Sequence, residues 1–369
     1  MKKKIFYAVL VILFTLPLGF MGCNNAERFP ISEIVNEMEF DIKLLINPDL
    51  ILDYSKIIDE NGELTEDFLR PWRGTQTFSL DNPTDVFFCL SEDYLRSLGF
   101  TNETFRIRRL DFQYMDTPNQ TFDRYRWINR IRQRGWEDGW QVLYRQRTPL
   151  RWPVTEKGIE AQVQRALASG FLPMSEGGQW SYEVDWSYGS AVFSRNFLYR
   201  SDNAPVGLPQ IPFSEVNDKF GVNLGRNSLP NDEQTRYLYS KRMPDEVKNA
   251  YWYKDQFNEI VTYGPVFYRR YEVGIQNIID YCPHFTSNND LRFDVLVLPA
   301  MNGFNLEFVV ELSHSDMERQ ENLGLANATA ARHTLYNFFG GIESGAILPS
   351  SGLRAAKVLE RYRMNNNPR

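Results

Sequence analysis

The sequence predicts a β-rich α+β fold. Aromatic residues make up 14% of its 369 positions, and aromatic side chains suit the pleated, half-buried surface of a sheet. Many short runs alternate apolar and polar residues, which is the period of a strand. Helical spacing is confined to short flanking stretches and to the tail. Apolar content of 43% and charged content of 24% fit a globular chain, long enough for one large domain or two ordinary ones.

Residues 1–23 read as an export segment. Lys2, Lys3 and Lys4 form a basic start, and an apolar run from Ile5 to Phe20 follows. The segment ends Gly22-Cys23, which resembles a lipobox and makes Cys23 the expected lipidated N-terminus. Phe20 and Met21 depart from the usual lipobox residues. Residues 24–33 then form a polar spacer. The expectation is a bacterial envelope protein held on a membrane by its lipid. Without the three lysines the chain keeps 38 basic and 47 acidic side chains, a net of −9. That bulk charge argues against nucleic acid as a partner. Three His and no Cys/His spacing argue against zinc. Cys89 and Cys282 are free to pair in an oxidising compartment.

The domain opens on Ile34–Ile46, read as a strand. Glu39, Asp41 and Lys43 alternate there with Phe40, Ile42 and Leu44. Two carboxylates on one strand face, about 7 Å apart, suit a hard divalent cation such as Mg²⁺ or Mn²⁺; an amphipathic strand with a wet face has the same pattern. Residues 47–83 read as loop with one short helix. Ser91 caps a helix to Leu98, and Phe105–Met115 is a strand. Thr155 caps a helix in which Ile159, Val163 and Leu167 recur at helical spacing, with Gly170 as its stop. In Trp180–Tyr188 the aromatics and Val184 share one face, and Glu183 and Asp185 share the other. A strand follows at Ala191–Arg200. Residues 203–258 read as an insertion. Strands return at Val266–Val273, at Leu291–Leu298 with Asp294, and at Phe304–Leu312 with Glu307 and Glu311; Asn302-Gly303 joins the last two as a hairpin. Residues 316–369 are expected to be helical, with helices over Ala326–Phe339 and Leu353–Tyr362.

Between residues 101 and 150 there are ten Arg, no Lys and six acids. Trp127–Arg134 sets Arg130, Arg132 and Arg134 at period two, and Gln141–Arg147 does the same for Arg145 and Arg147. Each set shares one strand face. The guanidinium fork matches phosphate or carboxylate oxygens and keeps its charge. The bland alternative is a solvated face of ion pairs.

The order of motifs resembles the CYTH family, or triphosphate tunnel metalloenzymes, over residues 34–315. Its opening Glu-x-Glu-x-Lys matches Glu39-Phe40-Asp41-Ile42-Lys43. Its Tyr-Phe-Asp-Thr turn matches Tyr114-Met115-Asp116-Thr117, and its Leu-Arg-Ile-Arg strand matches Asn129-Arg130-Ile131-Arg132. Its Thr-Leu-Lys strand matches Leu143-Tyr144-Arg145, and its closing Glu-x-Glu matches Glu311-Leu312-Ser313. Asp41, Arg145 and Ser313 depart from that pattern, Ser313 by removing a carboxylate.

The resemblance implies a closed antiparallel barrel of about eight strands with flanking helices and a charged interior. It implies that Lys43, Arg130, Arg132, Arg145 and Arg269, taken from the Arg269-Arg270 pair, grip a triphosphate or polyphosphate. It implies Mg or Mn on Glu39, Asp41 and Asp294, with Glu311 as general base. The expected function is binding, and hydrolysis, of a phosphorylated small molecule or polyphosphate. The alternatives are an inactive binding or structural lipoprotein on the same fold, and an envelope β-barrel with an unrelated partner.

Overall fold

The structure is a computed structural model. It describes residues 31–70, 72, 74–82, 86–116, 126–133, 140–168, 180–187, 189–201, 261–274, 290–298, 305–314 and 325–349. The export segment with Cys23, Thr117-Pro118-Asn119, Arg134, the insertion at 203–258, Cys282, Asn302-Gly303 and the helix expected at 353–362 lie outside those residues.

The described residues begin with helix α1 (Ile31–Glu37) and strand β1 (Glu39–Ile46). The strand expected from Ile34 thus starts later. Ile31, Ile34, Val35 and Met38 recur at i, i+3, i+4 and i+7, a helical stripe that overrides the strand reading. Helix α2 (Pro48–Ile51) and helix α3 (Glu66–Leu69) follow, each capped by its preceding side chain, Asn47 and Thr65. Strand β2 (Thr75–Ser79) lies where the sequence predicts loop; its five residues carry one apolar side chain, too few to mark a period. Helix α4 (Glu92–Ser97) has Ser91 as its cap, accepting from the Tyr94 N–H at 3.3 Å.

The predicted Phe105–Met115 strand is two strands, β3 (Thr104–Arg109) and β4 (Phe112–Asp116). Asp111 breaks it, its buried carboxylate accepting from the Tyr268 N–H at 2.9 Å. Then come β5 (Trp127–Gln133), β6 (Trp140–Pro149) and helix α5 (Glu156–Ala168). Thr155 caps α5, its Oγ1 accepting from the Gly158 N–H at 3.1 Å. Strands β7 (Trp180–Ser187), β8 (Ser190–Ser201), β9 (Val261–Gly274), β10 (Asp290–Leu298) and β11 (Glu307–His314) complete the sheet. Helix α6 (Leu325–Phe338) ends at Gly340 and Gly341, both at positive φ. There the Gly341 N–H reaches back to the Tyr336 carbonyl at 2.9 Å, a helix end that glycine adopts without strain.

One sheet of eleven strands runs β10-β11-β1-β7-β8-β6-β5-β4-β9-β3-β2. Strand β9 also pairs with β10, from Phe267↔Val297 to Gly274↔Asp290. The run from β10 to β9 therefore begins and ends on strands that are themselves paired. Two expectations are corrected. Among the described residues nine strands, not about eight, run from β10 to β9, and β3 and β2 extend the sheet past β9 to eleven. The sheet is mixed, not wholly antiparallel, because β1 and β7 are parallel.

The sheet's two faces differ. Phe40, Ile42 and Leu44 of β1 join Tyr182, Val184 and Trp186 of β7 and Phe293 and Val295 of β10 in the main core. Ile34 and Met38 of the α1 region, Ile159 and Val163 of α5, and Leu335 of α6 pack on that face. Each such side chain stabilises the fold by about 1.5–3 kcal/mol when fully buried. Phe78 and Phe88 stack at 3.7 Å. Cys89 lies in this core as a free thiol, pushed up to about 11 by burial, against Tyr271 Oη at 2.6 Å. The other face carries charge.

Candidate functional site

Strand alternation sends Glu39, Asp41 and Lys43 to the charged face of β1 while their neighbours enter the core. The parallel register sets Glu39 opposite Glu183 and Asp41 opposite Asp185. Like charges directly opposite each other repel, so this pairing needs cations. Lys43 supplies one. Its Nζ lies 2.6 Å from Asp41, 3.5 Å from Glu183, and in contact with Asp185. Arg145 supplies another from β6, reaching over β8 to Glu183 at 2.7 Å and Asp185 at 3.3 Å. Arg147 stands 3.7 Å from Asp185. Strand β8 completes the shell: Ser194 Oγ donates to Asp185 at 3.1 Å and Asn196 Nδ2 to Glu183 at 2.7 Å.

Burial disfavours the Lys43 ammonium, but Asp185, Asp41, Glu183 and Glu311 together outweigh it and raise its pKa. Burial likewise opposes the Arg145 charge, and Glu183, Asp185, Asp41 and Glu39 raise it in turn. The two buried acids move apart. Burial pushes Glu183 up to about 7 despite Arg145, while Lys43 and Arg145 hold Asp185 well below its ordinary value in spite of its burial. A carboxyl raised on folding binds an extra proton in the native state between its ordinary value near 4.5 and about 7. Its contribution to stability is therefore present below that window and lost as pH rises through it. Without added metal, Glu183→Gln is expected to flatten the fall in unfolding free energy between pH 5 and pH 7, measured by urea titration. An unchanged slope would assign the proton to another group.

Arg130 and Arg132 share a face of β5, as the alternation predicts. The Arg130 guanidinium lies 5.5 Å from the Phe112 ring centroid. Arg132 is held well below its ordinary range, first by burial and then by the Arg130 charge; Arg270 adds to this, and Tyr268 and Asp294 oppose it. It thus sits across β4 from residues of β9 and β10. Asp294 is gripped there by Arg270, Nε at 2.8 Å and Nη2 at 3.0 Å. Glu311 is buried opposite both Asp294 and Leu45 in register. Ser313 is paired with Lys43.

Of the residues chosen from sequence, Lys43, Asp41, Arg145, Glu39, Arg130, Arg132, Glu311 and Asp294 lie on this face. Arg269 does not. It is buried on the other face, 2.7 Å from Asp111, bonded to the Phe68 carbonyl, and over the Phe68 and Trp72 rings at 4.5 and 4.7 Å. On the charged face the neighbouring position is Arg270, which holds Asp294. Arg269→Ala is expected to cost about 2–3 kcal/mol of stability by denaturant unfolding, less than a fully orphaned charge, because Arg109 still holds Asp111 at 2.5 Å.

Glu183 and Asp185 share a strand face in the sequence but are not among the site residues expected from it. Their Glu-x-Asp spacing repeats that of Glu39 and Asp41, a signal already present in the sequence. One oxygen each of Asp41, Glu183 and Asp185 lie within 4.8 Å of one another. Asp41 Oδ1 is buried with no hydrogen-bond partner among the described residues. An all-carboxylate set with a spare buried oxygen fits a hard divalent cation. This group shares only Asp41 with the expected Glu39, Asp41 and Asp294; Asp294 lies apart from it, held by Arg270.

Solved structures with similar chains include a Hippeastrum protein assigned as an adenylyl cyclase, with a dominant triphosphatase activity. It is 13% identical, with a TM-score of 0.38, over 88% of this chain and 96% of its own. Another is assigned as an adenylate cyclase of Bacillus halodurans, 10% identical with a TM-score of 0.34, over 87% and 97%. Likeness at this level does not carry the activity of either protein to this chain. No family model and no curated protein matches the sequence.

Proposed function

We propose that the chain is a CYTH-like, metal-dependent triphosphate or polyphosphate hydrolase built on a closed tunnel barrel. The single observation that carries this is a split charge on one sheet face. Arg130 and Arg132 crowd each other on one side, and a three-carboxylate group lies on the other. The β9–β10 pairing supports closure of the barrel. A phosphate chain between the two groups would relieve the repulsion between the arginines and be held by their forks. A divalent ion, when bound by Asp41, Glu183 and Asp185, would polarise phosphoryl oxygens. Lys43 and Arg145 then remain to bind phosphate oxygens and stabilise charge on the transferred group. Glu311, buried beside Lys43, is the candidate to take the proton of the attacking water.

A second reading, an inactive binding protein on the same fold, has its own observation. The Lys43 ammonium lies against all three carboxylates, the position a cation would take, and Ser313 faces Lys43 where a carboxylate was expected. Phosphate release from inorganic triphosphate with Mg²⁺ or Mn²⁺ separates the two. Release abolished by Glu183→Ala supports the hydrolase. No release, with thermal stabilisation by triphosphate, supports the binding protein.

The lipoprotein segment at 1–23 supports an exported, membrane-anchored location facing the envelope. Incorporation of labelled fatty acid that Cys23→Ala abolishes is the expected result; labelling that survives the substitution would sink the anchor.

A further inference from the structure

We propose that Lys43 is a two-position side chain. It closes the carboxylate cradle as an internal cation, and it swings across β1 to Glu311 when a divalent ion enters. This rests on the divalent-ion reading above and says how that site is loaded.

The first position is the one seen. The Lys43 Nζ lies against one oxygen of each acid: Asp41 Oδ2 at 2.6 Å, Glu183 Oε1 at 3.5 Å, and Asp185 Oδ1 in direct contact. The second oxygens of the two β7 acids are held by other donors. Glu183 Oε2 accepts from Arg145 and from Asn196, each at 2.7 Å. Asp185 Oδ2 accepts from Ser194 at 3.1 Å and from Arg145 at 3.3 Å. Side chains of β6 and β8 thus fix both carboxylates while their remaining oxygens converge on one point. An ammonium fills that point. A divalent ion on the same three carboxylates needs it too, and two cations at contact distance repel strongly out of water. Lys43 and the ion therefore exclude each other.

The charge balance leads to the same exchange. Asp41, Glu183 and Asp185 face Lys43, Arg145 and Arg147, three acids against three cations. An ion of charge two added to this balanced group would leave uncompensated charge out of water, which is costly. Moving Lys43 away halves that excess.

The second position lies across the strand. Strand β1 runs between β7 and β11, and Lys43 is opposite Ser313 of β11. Glu311, buried and two residues along the same face, is diagonal to Lys43. Diagonal neighbours in an antiparallel pair are about 7–8 Å apart, a span that a long side chain covers. The Glu311 charge already favours the ammonium. Ser313 is short and uncharged, so the residue directly opposite Lys43 offers no rival carboxylate to stop the ammonium on its way.

The test is Mn²⁺ binding to the full-length protein without phosphate, by calorimetry. Lys43→Met is expected to bind Mn²⁺ about tenfold more tightly than the wild type, the shift for a cradle that Lys43 holds about nine-tenths of the time. Lys43→Gln serves if the methionine variant does not fold. Glu311→Gln separates exchange from bulk charge. It is expected to weaken Mn²⁺ binding about fivefold in the wild type, within the range of contact couplings, and to change nothing in the Lys43→Met background. Equal or weaker binding by Lys43→Met would overturn the exchange. So would the same loss from Glu311→Gln in both backgrounds, which a direct ligand or a general charge effect would give. Absence of Mn²⁺ binding in the wild type and Lys43→Met alike would instead remove the divalent-ion reading, and this inference with it.

Discussion

Asp185→Ala is expected to lower the unfolding free energy by about 3–5 kcal/mol, the cost of leaving buried charge uncompensated. Asp185 has no exposed surface and takes contacts from Lys43, Arg145, Arg147 and Ser194. Its removal leaves those three cations with only Asp41 and Glu183 as counter-charges in the group. Asp185→Asn should recover part of the loss, since an amide can still accept from Ser194. Adding Lys43→Met to Asp185→Ala should cost less than the sum of the two single changes, because one excess cation goes with the anion. Urea unfolding of the four proteins at pH 7 measures this. Strict additivity would show that the ion group contributes little to the fold.

Arg132→Ala is expected to have the opposite profile. Its charge is disfavoured by burial and by Arg130 and Arg270, so its loss should leave the ligand-free protein equally or more stable. Triphosphate binding should fall about 100-fold, in line with about 1.5–3 kcal/mol for hydrogen bonds to a charged group. Arg132→Lys should restore only part of it, since an ammonium lacks the fork. Calorimetric titration with triphosphate, beside the melting temperature of the free protein, gives both readings. Unchanged affinity would remove Arg132 from the anion group.

How legible these residues were follows from the range of the information each needed. Arg130, Arg132 and Arg145 announce themselves by alternation, because face-sharing on a strand is local. Glu39, Asp41 and Lys43 do so for the same reason. Glu183 and Asp185 carry the same local mark, but their importance comes from lying beside β1, and no local pattern says which strands pair. Arg269 and Arg270 were indistinguishable for a related reason. Val266 and Tyr268 on one face of β9, and Tyr271 and Val273 on the other, are all buried. With apolar residues on both faces the alternation has no phase, and only the register against β10 assigns it. Helix α1 was overlooked because its stripe starts at Ile31, ahead of the strand read from Ile34.

The parallel β1–β7 pairing has a kinetic consequence. Lys43 and Asp185 are 142 positions apart, and two parallel strands cannot be joined by a short turn. Closing so large a loop costs chain entropy before any contact repays it. The β5–β6 and β7–β8 hairpins can form locally, but the carboxylate group exists only once the first strand has found a distant partner. Topologies dominated by such pairings fold on the millisecond-to-second scale. The ability to bind a divalent ion should accordingly emerge in the last phase of refolding, after most strand signal has returned.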